Sequence, residues 1–346
     1  MRRTLITGIT GQDGILLANA LLARGHEVIG FGRRASILAR TDLRDTLSQI
    51  KLAHGDLADS VDIADAIQRH QPDDIYNLAS QSAPGMSWTQ SLETGDITGI
   101  GAHRVFEAAR RFKPDCHIYQ ASSSEMFGAV RETRQNENTP FNPSNPYAVA
   151  KVYAHQMARV YRHSYRMFIS CGILFNHESR YRGMRFLTQK VAYGAACASL
   201  GIDESALLNE EGEPVVRDGK LALGNLDAAR DWGYAGDYVE AMVRMLQRDE
   251  PGDYAIGTGQ LRTVQDLCQV AFGHVGRDWR AHVVSDPRFV RPSETGATLA
   301  DASKARRVLG WAPTVSFDQM IGDMVDVHLA ALSGRPAGTS GRSNGR

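Results

Sequence analysis

The stretch "LITGITGQDGILLA" (5–18) decides the fold: an apolar run ends on Gly8, glycines follow at Gly11 and Gly14, and a helical pattern starts at once. Glycine suits a tight strand-to-helix turn where the backbone must come close to a bound group, and the amides of such a turn, backed by the helix N-terminus, hold a pyrophosphate. The spacing is G-x-x-G-x-x-G rather than G-x-G-x-x-G, so a plain tight turn is the competing reading and the surroundings must arbitrate.

Outward from that turn, β-rich runs alternate with helical patterns: "TLITG" (4–8), "EVIGFG" (27–32), "IKLAHGD" (50–56), "DIYNLAS" (74–80), "HIYQASS" (117–123) and "MFISCGILF" (167–175). Strands separated by helix-length segments join in parallel, which predicts an α/β fold with a parallel sheet and helices on both faces. The run "ILLANALLARG" (15–25) predicts the first helix, closed by Gly25. Beyond about Lys190 the pattern is mixed. A polar stretch over 201–220 reads as a surface loop or hairpin, while "AGDYVEAMVRMLQR" (235–248), "DYAIGTG" (253–259) and a helix over 263–275 read as a smaller mixed α/β lobe of non-contiguous pieces. The expected domains are therefore 1–175, mainly nucleotide-binding, and 176–332, mainly a substrate lobe with segments returning to the first; 333–346, Gly, Ser and Arg without apolar anchors, is expected to be a disordered tail.

Composition narrows the partners. Lys+Arg 39 balances Asp+Glu 39, so no global field gathers nucleic acid or an anionic membrane. No run approaches the ~20 apolar residues of a membrane span, and the opening stretch is too short for a signal-peptide core. The expectation is a soluble cytoplasmic protein. Cys116, Cys171, Cys197 and Cys268 lack C-x-x-C spacing, which argues against zinc or a disulfide framework, and no metal is expected.

Further motifs sit where strands should end. "FGRRAS" places Arg33, Arg34 and Ser36 where an acidic residue would bind the ribose 2′-hydroxyl of NAD; cationic donors suit a 2′-phosphate and point to NADP, against a merely solvated basic turn. Asp56 and Leu57, and "LASQS" with Leu78, Ala79, Gln81 and Ser82, fall at neighbouring carboxyl ends. In "NPYAVAKVYAHQMARVY" (145–161), Asn145-Pro146 opens a helix on which Tyr147 and Lys151 share a face, one turn apart. The ammonium favours tyrosinate, so Tyr147 can take a proton from a hydroxyl as hydride leaves its carbon, with Ser123 hydrogen-bonding the same hydroxyl.

The glycine turn, "ASSSE" (121–125) and the Tyr147-x-x-x-Lys151 pair resemble the extended short-chain dehydrogenase/reductase family, which modifies nucleotide sugars on a Rossmann domain. The longer strings "GITGQDG" (8–14), "NPYAVAK" (145–151), "GILFNHES" (172–179), "LGNLDAARDWGYAGDYVEAM" (223–242) and "RPSE" (291–294) are similar to its GDP-mannose 4,6-dehydratases. The resemblance, which runs from about residue 3 to 330, implies Ser123, Glu125, Tyr147 and Lys151 as the catalytic set. Tyr147 would take the C4 hydroxyl proton during hydride transfer to NADP, and Glu125 would serve the C5 proton and the departing C6 hydroxyl before hydride returns to C6. It also implies Gln12, Asp13, His177 and Arg182 in the cofactor pocket, and Ser82, Asn176, Lys190, Gly224, Arg230, Arg291 and Glu294 as partners of the GDP-sugar. Alternatives are a related GDP-sugar such as a GDP-heptose, a reductase or epimerase of the same family, or a non-catalytic NADP-binding protein. Three departures stand out: Ser123 where threonine is common, "QSAPGMSW" (81–88) with Ala83 and Pro84 in the substrate loop, and the insertion around 202–220. "RRASILART" (33–41) matches a loop that in the family reaches a neighbouring subunit, which implies a homodimer or homotetramer.

Overall fold

The computed structural model describes residues 1–82, 84–129, 132–289 and 297–334. Ala83, Arg291 and Glu294 lie outside the described residues, as does all but the start of the tail expected to be disordered. The chain divides into two compact units, one of Met1–His177, Arg230–Leu261 and Ser293–Val315, the other of Glu178–Ala229, Arg262–Pro292 and Ser316–Arg346.

The first unit is built on seven parallel strands, β1 (Arg3–Thr7), β2 (Glu27–Gly32), β3 (Lys51–His54), β4 (Asp74–Asn77), β5 (His117–Ser123), β6 (Ile169–Leu174) and β7 (Asp253–Ile256). Their order is β7-β6-β5-β4-β1-β2-β3. The chain winds outward in both directions from β1 and β4, and the carboxyl ends of that pair form the crevice where open α/β sheets bind ligands. Leu5, Ile29, Ile75, Ile118 and Ile169 are wholly buried and pack with Ile63, Ile67, Val105, Phe106, Ala154 and Ala158 of the covering helices. Burial on both faces is why these strands read as continuous apolar runs.

The structure corrects several details. The segment 253–259 and the helix at 235–248, assigned from sequence to the smaller lobe, belong to the first unit. Strand β7 pairs with β6, Tyr254 opposite Gly172, and helix Ala235–Leu246 packs on helix Gln12–Leu22. The edge of β6 needs a hydrogen-bonding partner, and the apolar Tyr254, Ala255 and Ile256 supply one while becoming buried. The first helix begins at Gln12, directly after Gly11, and β4 stops at Asn77 because the amides of Leu78 and Ala79 turn to the Thr7 hydroxyl, each at 3.1 Å. Arg33 is the N-cap of a short helix, Arg34–Ala39, inside the 33–41 segment that the family resemblance implied to be a loop.

In the second unit, helices Leu187–Leu200, Val264–His274 and Phe317–Leu332 pack against one another. Strand Lys220–Leu223 lies between Val216–Arg217, antiparallel, and Val283–Ser285, parallel, so the 201–220 segment ends in a hairpin. No helix among the described residues is long and apolar enough to cross a membrane, and all four cysteines are free and buried.

Candidate active site

The glycine turn is built for close approach. Gly8 has φ +72°, and a Cβ there would lie 2.8 Å from the Ala79 amide nitrogen. Gly11, exposed, is the N-cap of Gln12–Leu22 and has no side chain of its own to cap the helix. A glycine turn opening an 11-residue helix fits an anionic group such as a dinucleotide pyrophosphate. Arg33 and Arg34 are exposed at the end of β2, with Ser36 half-buried beside them. Asp56 uses a carboxylate oxygen to accept from the Ala58 amide at 3.0 Å, and the carbonyl of buried Leu57 accepts from Arg104 at 3.0 Å. The Gln81 amide donates to Thr98 Oγ1 at 3.1 Å, while Ser82 is exposed.

Gln12 and Asp13 meet His177 across 165 and 164 positions of sequence. Gln12 Nε2 donates to the His177 carbonyl at 3.0 Å, and His177 Nε2 lies 2.9 Å from Asp13 Oδ2. The His177 ring stacks on Tyr238 with centroids 4.7 Å apart. Arg182, in the second unit, pairs with Glu178 at 3.1 Å and lies 3.5 Å over the Phe186 ring.

The catalytic candidates converge on the end of β5. Ser123 caps the turn Ser124–Phe127, its Oγ accepting from the Glu125 amide at 3.2 Å. The turn closes on Gly128, φ +57°, where a Cβ would fall 1.8 Å from the Asn142 carbonyl oxygen, so no other residue fits. Asn145 has two roles: its Oδ1 accepts from the Ala148 amide at 2.8 Å as the N-cap of helix Pro146–Ser164, and its Nδ2 donates to Glu125 Oε2 at 3.0 Å. One turn into that helix, Lys151 Nζ donates to the Ala121 carbonyl at 2.8 Å and lies 5.6 Å from the Tyr147 ring centroid. These two anchors, 145 on 125 and 151 on 121, bracket Tyr147 along the helix and Ser123 along the strand.

Lys151 is 4% exposed and Tyr147 8%. Burial pushes the Lys151 ammonium from its usual 10.5 down to about 8, with the Asp13 carboxylate acting the other way. The arrangement offers a phenol beside a cation, a hydroxyl at the strand end and an oriented carboxylate two residues on, which is a set able to move protons at two adjacent positions of one substrate.

Ser122 turns inward instead, its Oγ 2.9 Å from His155 Nδ1. His155, Cys171 and Asp253 gather there with the spacing of metal ligands. Arg162, 2.6 Å from Asp253 Oδ1 and 3.8 Å from Cys171 Sγ, already supplies the cation. Burial lowers His155 to about 4 and raises the Cys171 thiol, so this knot is neutral except for its Arg–Asp pair.

Among substrate candidates in the first unit, the Asn176 carbonyl accepts from Tyr238 Oη at 3.4 Å, and Arg230 is half-buried. Its neighbour Asp231 is wholly buried and accepts from the amides of Thr258 at 2.9 Å, Gly259 at 2.8 Å and Ala300 at 3.1 Å, so the adjacent charges are not a solvated pair. In the second unit, Lys190 Nζ lies 2.8 and 2.6 Å from the Glu210 carboxylate oxygens, and the Gly224 carbonyl accepts from Ser285 Oγ at 3.1 Å. Two supporting residues escape the sequence reading. Arg40 braces the glycine turn by donating to the Thr10 carbonyl at 2.7 Å, and Asn145 aims Glu125; an Asn-Pro dipeptide signals the cap but not the second arm of its amide.

Comparison with known proteins follows the same lines. Residues 5–324 match a family described as GDP-mannose 4,6 dehydratase. The chain is 41% identical over 337 residues to GDP-mannose 4,6 dehydratase 1 of Arabidopsis thaliana, covering 94% of this chain and 89% of that protein. Among solved structures, UDP-glucose 4-epimerase of Thermus thermophilus in complex with NAD superposes with a TM-score of 0.80 at 24% identity, covering 95% of this chain and 99% of that one. RMD from Pseudomonas aeruginosa complexed with NADPH gives 0.78 at 20% identity, covering 96% and 100%. These two structures share the fold.

Proposed function

The chain belongs to the GDP-mannose 4,6-dehydratase family, and from that premise we infer how its own residues divide the work of a hydro-lyase acting on GDP-mannose. The observation that carries the assignment is the double anchor: Lys151 on the Ala121 carbonyl and Asn145 on Glu125 hold a phenol and a carboxylate at one strand end.

A nicotinamide dinucleotide held at the glycine turn would supply the hydride acceptor for C4 and the hydride donor for C6. Tyr147, its phenolate favoured by the Lys151 ammonium, takes the C4 hydroxyl proton while Ser123 orients that hydroxyl. The ketone so formed acidifies C5–H. Glu125 takes the C5 proton and passes it to the leaving C6 hydroxyl, which departs as water; once C6 has been reduced, C5 takes up one proton and Tyr147 gives up the one it took from the C4 hydroxyl, so the protons balance. The sum is GDP-mannose to its 4-keto-6-deoxy product plus one water, with no net use of cofactor. The cofactor is NADP in this reading, supported by exposed Arg33 and Arg34 at the end of β2. Gly8, Gly11 and Gly14, with Gln12, Asp13 and His177, form the remainder of its cradle.

Asn176 and Arg230 in the first unit and Lys190 in the second are the described candidates for the nucleotide diphosphate, with Ser82 and Gly224 as candidates for other parts of the substrate. Lys190 is held by Glu210, so phosphate binding there exchanges one anion for another. A homodimer or homotetramer is supported by the exposed apolar side chains Ile100, Val149 and Tyr153, which line one surface pocket. The decisive test is incubation of the purified protein with GDP-mannose without added NADPH, read by mass spectrometry: loss of one water is the expected result, and an unchanged substrate overturns the reading.

A further inference from the structure

Below the catalytic strand end runs a chain of buried polar groups that the dehydration steps do not themselves use. Thr7 Oγ1 accepts from the amides of Leu78 and Ala79, each at 3.1 Å, and donates to Asn77 Oδ1 at 2.7 Å. Asn77 Nδ2 donates to Gln120 Oε1 at 2.8 Å, and Gln120 Nε2 donates to the Ala121 carbonyl at 3.0 Å. That carbonyl is the acceptor of Lys151. Thr7 is 0% exposed, Asn77 2%, Gln120 2% and Lys151 4%, so water does not compete.

The direction of the chain follows from its backbone end. With two amides donating into the Thr7 oxygen, its hydroxyl proton goes to Asn77 Oδ1; this orients the Asn77 amide, whose NH₂ then meets Gln120 Oε1, leaving the Gln120 NH₂ for Ala121. Both lone pairs of the Ala121 carbonyl are thereby in use, one by Gln120 and one by Lys151.

We propose that Gln120 is a positioning residue for Lys151, fixing the carbonyl on which the ammonium rests and so its place beside Tyr147. The proposal rests on the reading of Tyr147 and Lys151 as the proton-transfer pair. A lysine has four rotatable side-chain bonds and a point charge, so its position is set by its acceptors rather than by its own shape. The same ladder begins on the 78–79 turn that packs against Gly8, and it therefore ties the lysine to the glycine turn. The charged group acting on Lys151 from a neighbouring element is Asp13 of helix Gln12–Leu22, and on its own helix it faces the Tyr147 ring.

The test uses Gln120→Met, Thr7→Val and Tyr147→Phe, each measured for thermal midpoint, kcat and KM with GDP-mannose, and the pH profile of kcat. Gln120→Met is expected to lower kcat about tenfold with KM within about twofold, the loss being greatest at low pH because a displaced ammonium leaves Tyr147 harder to deprotonate. Thr7→Val is expected to move the acid limb in the same direction by less. A Gln120→Met enzyme with the wild-type profile, or one whose kcat falls evenly at every pH as its midpoint drops, overturns the proposal. Should Gln120→Met not fold, Thr7→Val decides by the same criterion. Full turnover by Tyr147→Phe would sink the underlying pair instead; an inactive Tyr147→Phe beside an unshifted Gln120→Met profile would sink the proposal alone.

Discussion

Two lysines of this protein are held in opposite ways. Lys151, in the first unit, is buried and its ammonium rests on a peptide carbonyl. Lys190, in the second unit, rests on the carboxylate of Glu210, which is 38% exposed. A hydrogen bond made to backbone and closed off from water cannot be exchanged without leaving a buried group unpaired, at a cost of about 1–3 kcal/mol. A partly exposed ion pair is worth about 0–1 kcal/mol and gives way readily to another anion. The lysine proposed for proton transfer is therefore preorganised, whereas the one proposed to bind the diphosphate is kept occupied by an exchangeable partner.

Removing the preorganised groups gives the largest effects. Tyr147→Phe is expected to cost about 10³-fold in kcat with little change in KM, measured by product formation under saturating GDP-mannose; a loss below tenfold would break the contrast at its stronger end. Glu125→Gln is expected to cost about 10²-fold in water loss, and mass spectrometry should show the substrate retained; rapid dehydration by this variant would remove Glu125 from the mechanism. Because Asn145 donates to Glu125 through its amide, the glutamine fits without displacing the helix cap.

A stability measurement sharpens the comparison. Lys151→Met should abolish turnover yet raise the thermal midpoint by a few degrees near neutral pH. The folded pKa of Lys151 is lowered, so below about pH 8 the native state carries the full cost of a buried ammonium. Between that pH and the ordinary 10.5 the folded lysine is neutral while the unfolded one is still charged, and the variant's advantage should shrink toward zero. An advantage that persists above that range would refute burial of charge as its cause. The smallest effect belongs to the second unit: Glu210→Gln should lower KM for GDP-mannose about two- to fivefold at low salt with kcat unchanged, and the gain should fade as salt rises. An unchanged KM would mean that Lys190 does not meet the diphosphate.

Six strands of the sheet were legible as β-rich runs: five are largely buried, the mark of a strand covered on both sides, while β3 is an exposed edge strand legible only from the alternation of runs and helices. Strand β7 was legible as a strand but not as a member of this sheet, since "DYAI" reads equally as an edge strand of any small sheet and its partner Cys171–Leu174 lies about eighty positions away. The boundary of β4 was overrun for a similar reason: "NLAS" continues the apolar pattern, and only the Thr7 hydroxyl, drawing in the amides of residues 78 and 79, ends the ladder at Asn77. Of the candidate site, the positions of Tyr147 and Lys151 on one helix and of Ser123 at a strand end were readable from local pattern. Gln120 and Asn77 were not, because a polar residue inside an apolar strand has no local sign of what it faces.

By itself the sequence determined the α/β alternation, the glycine turn, the helix cap at Asn145 and the four-residue interval between tyrosine and lysine, all of them properties of short segments whose energies come from nearby atoms. Tertiary structure alone decided which carbonyl holds Lys151, thirty positions away, which amide aims Glu125, twenty away, and that Lys190 is held by a carboxylate of the inserted segment. Those choices depend on burial and on the direction in which polar groups meet, and both come into being only when distant strands and helices pack.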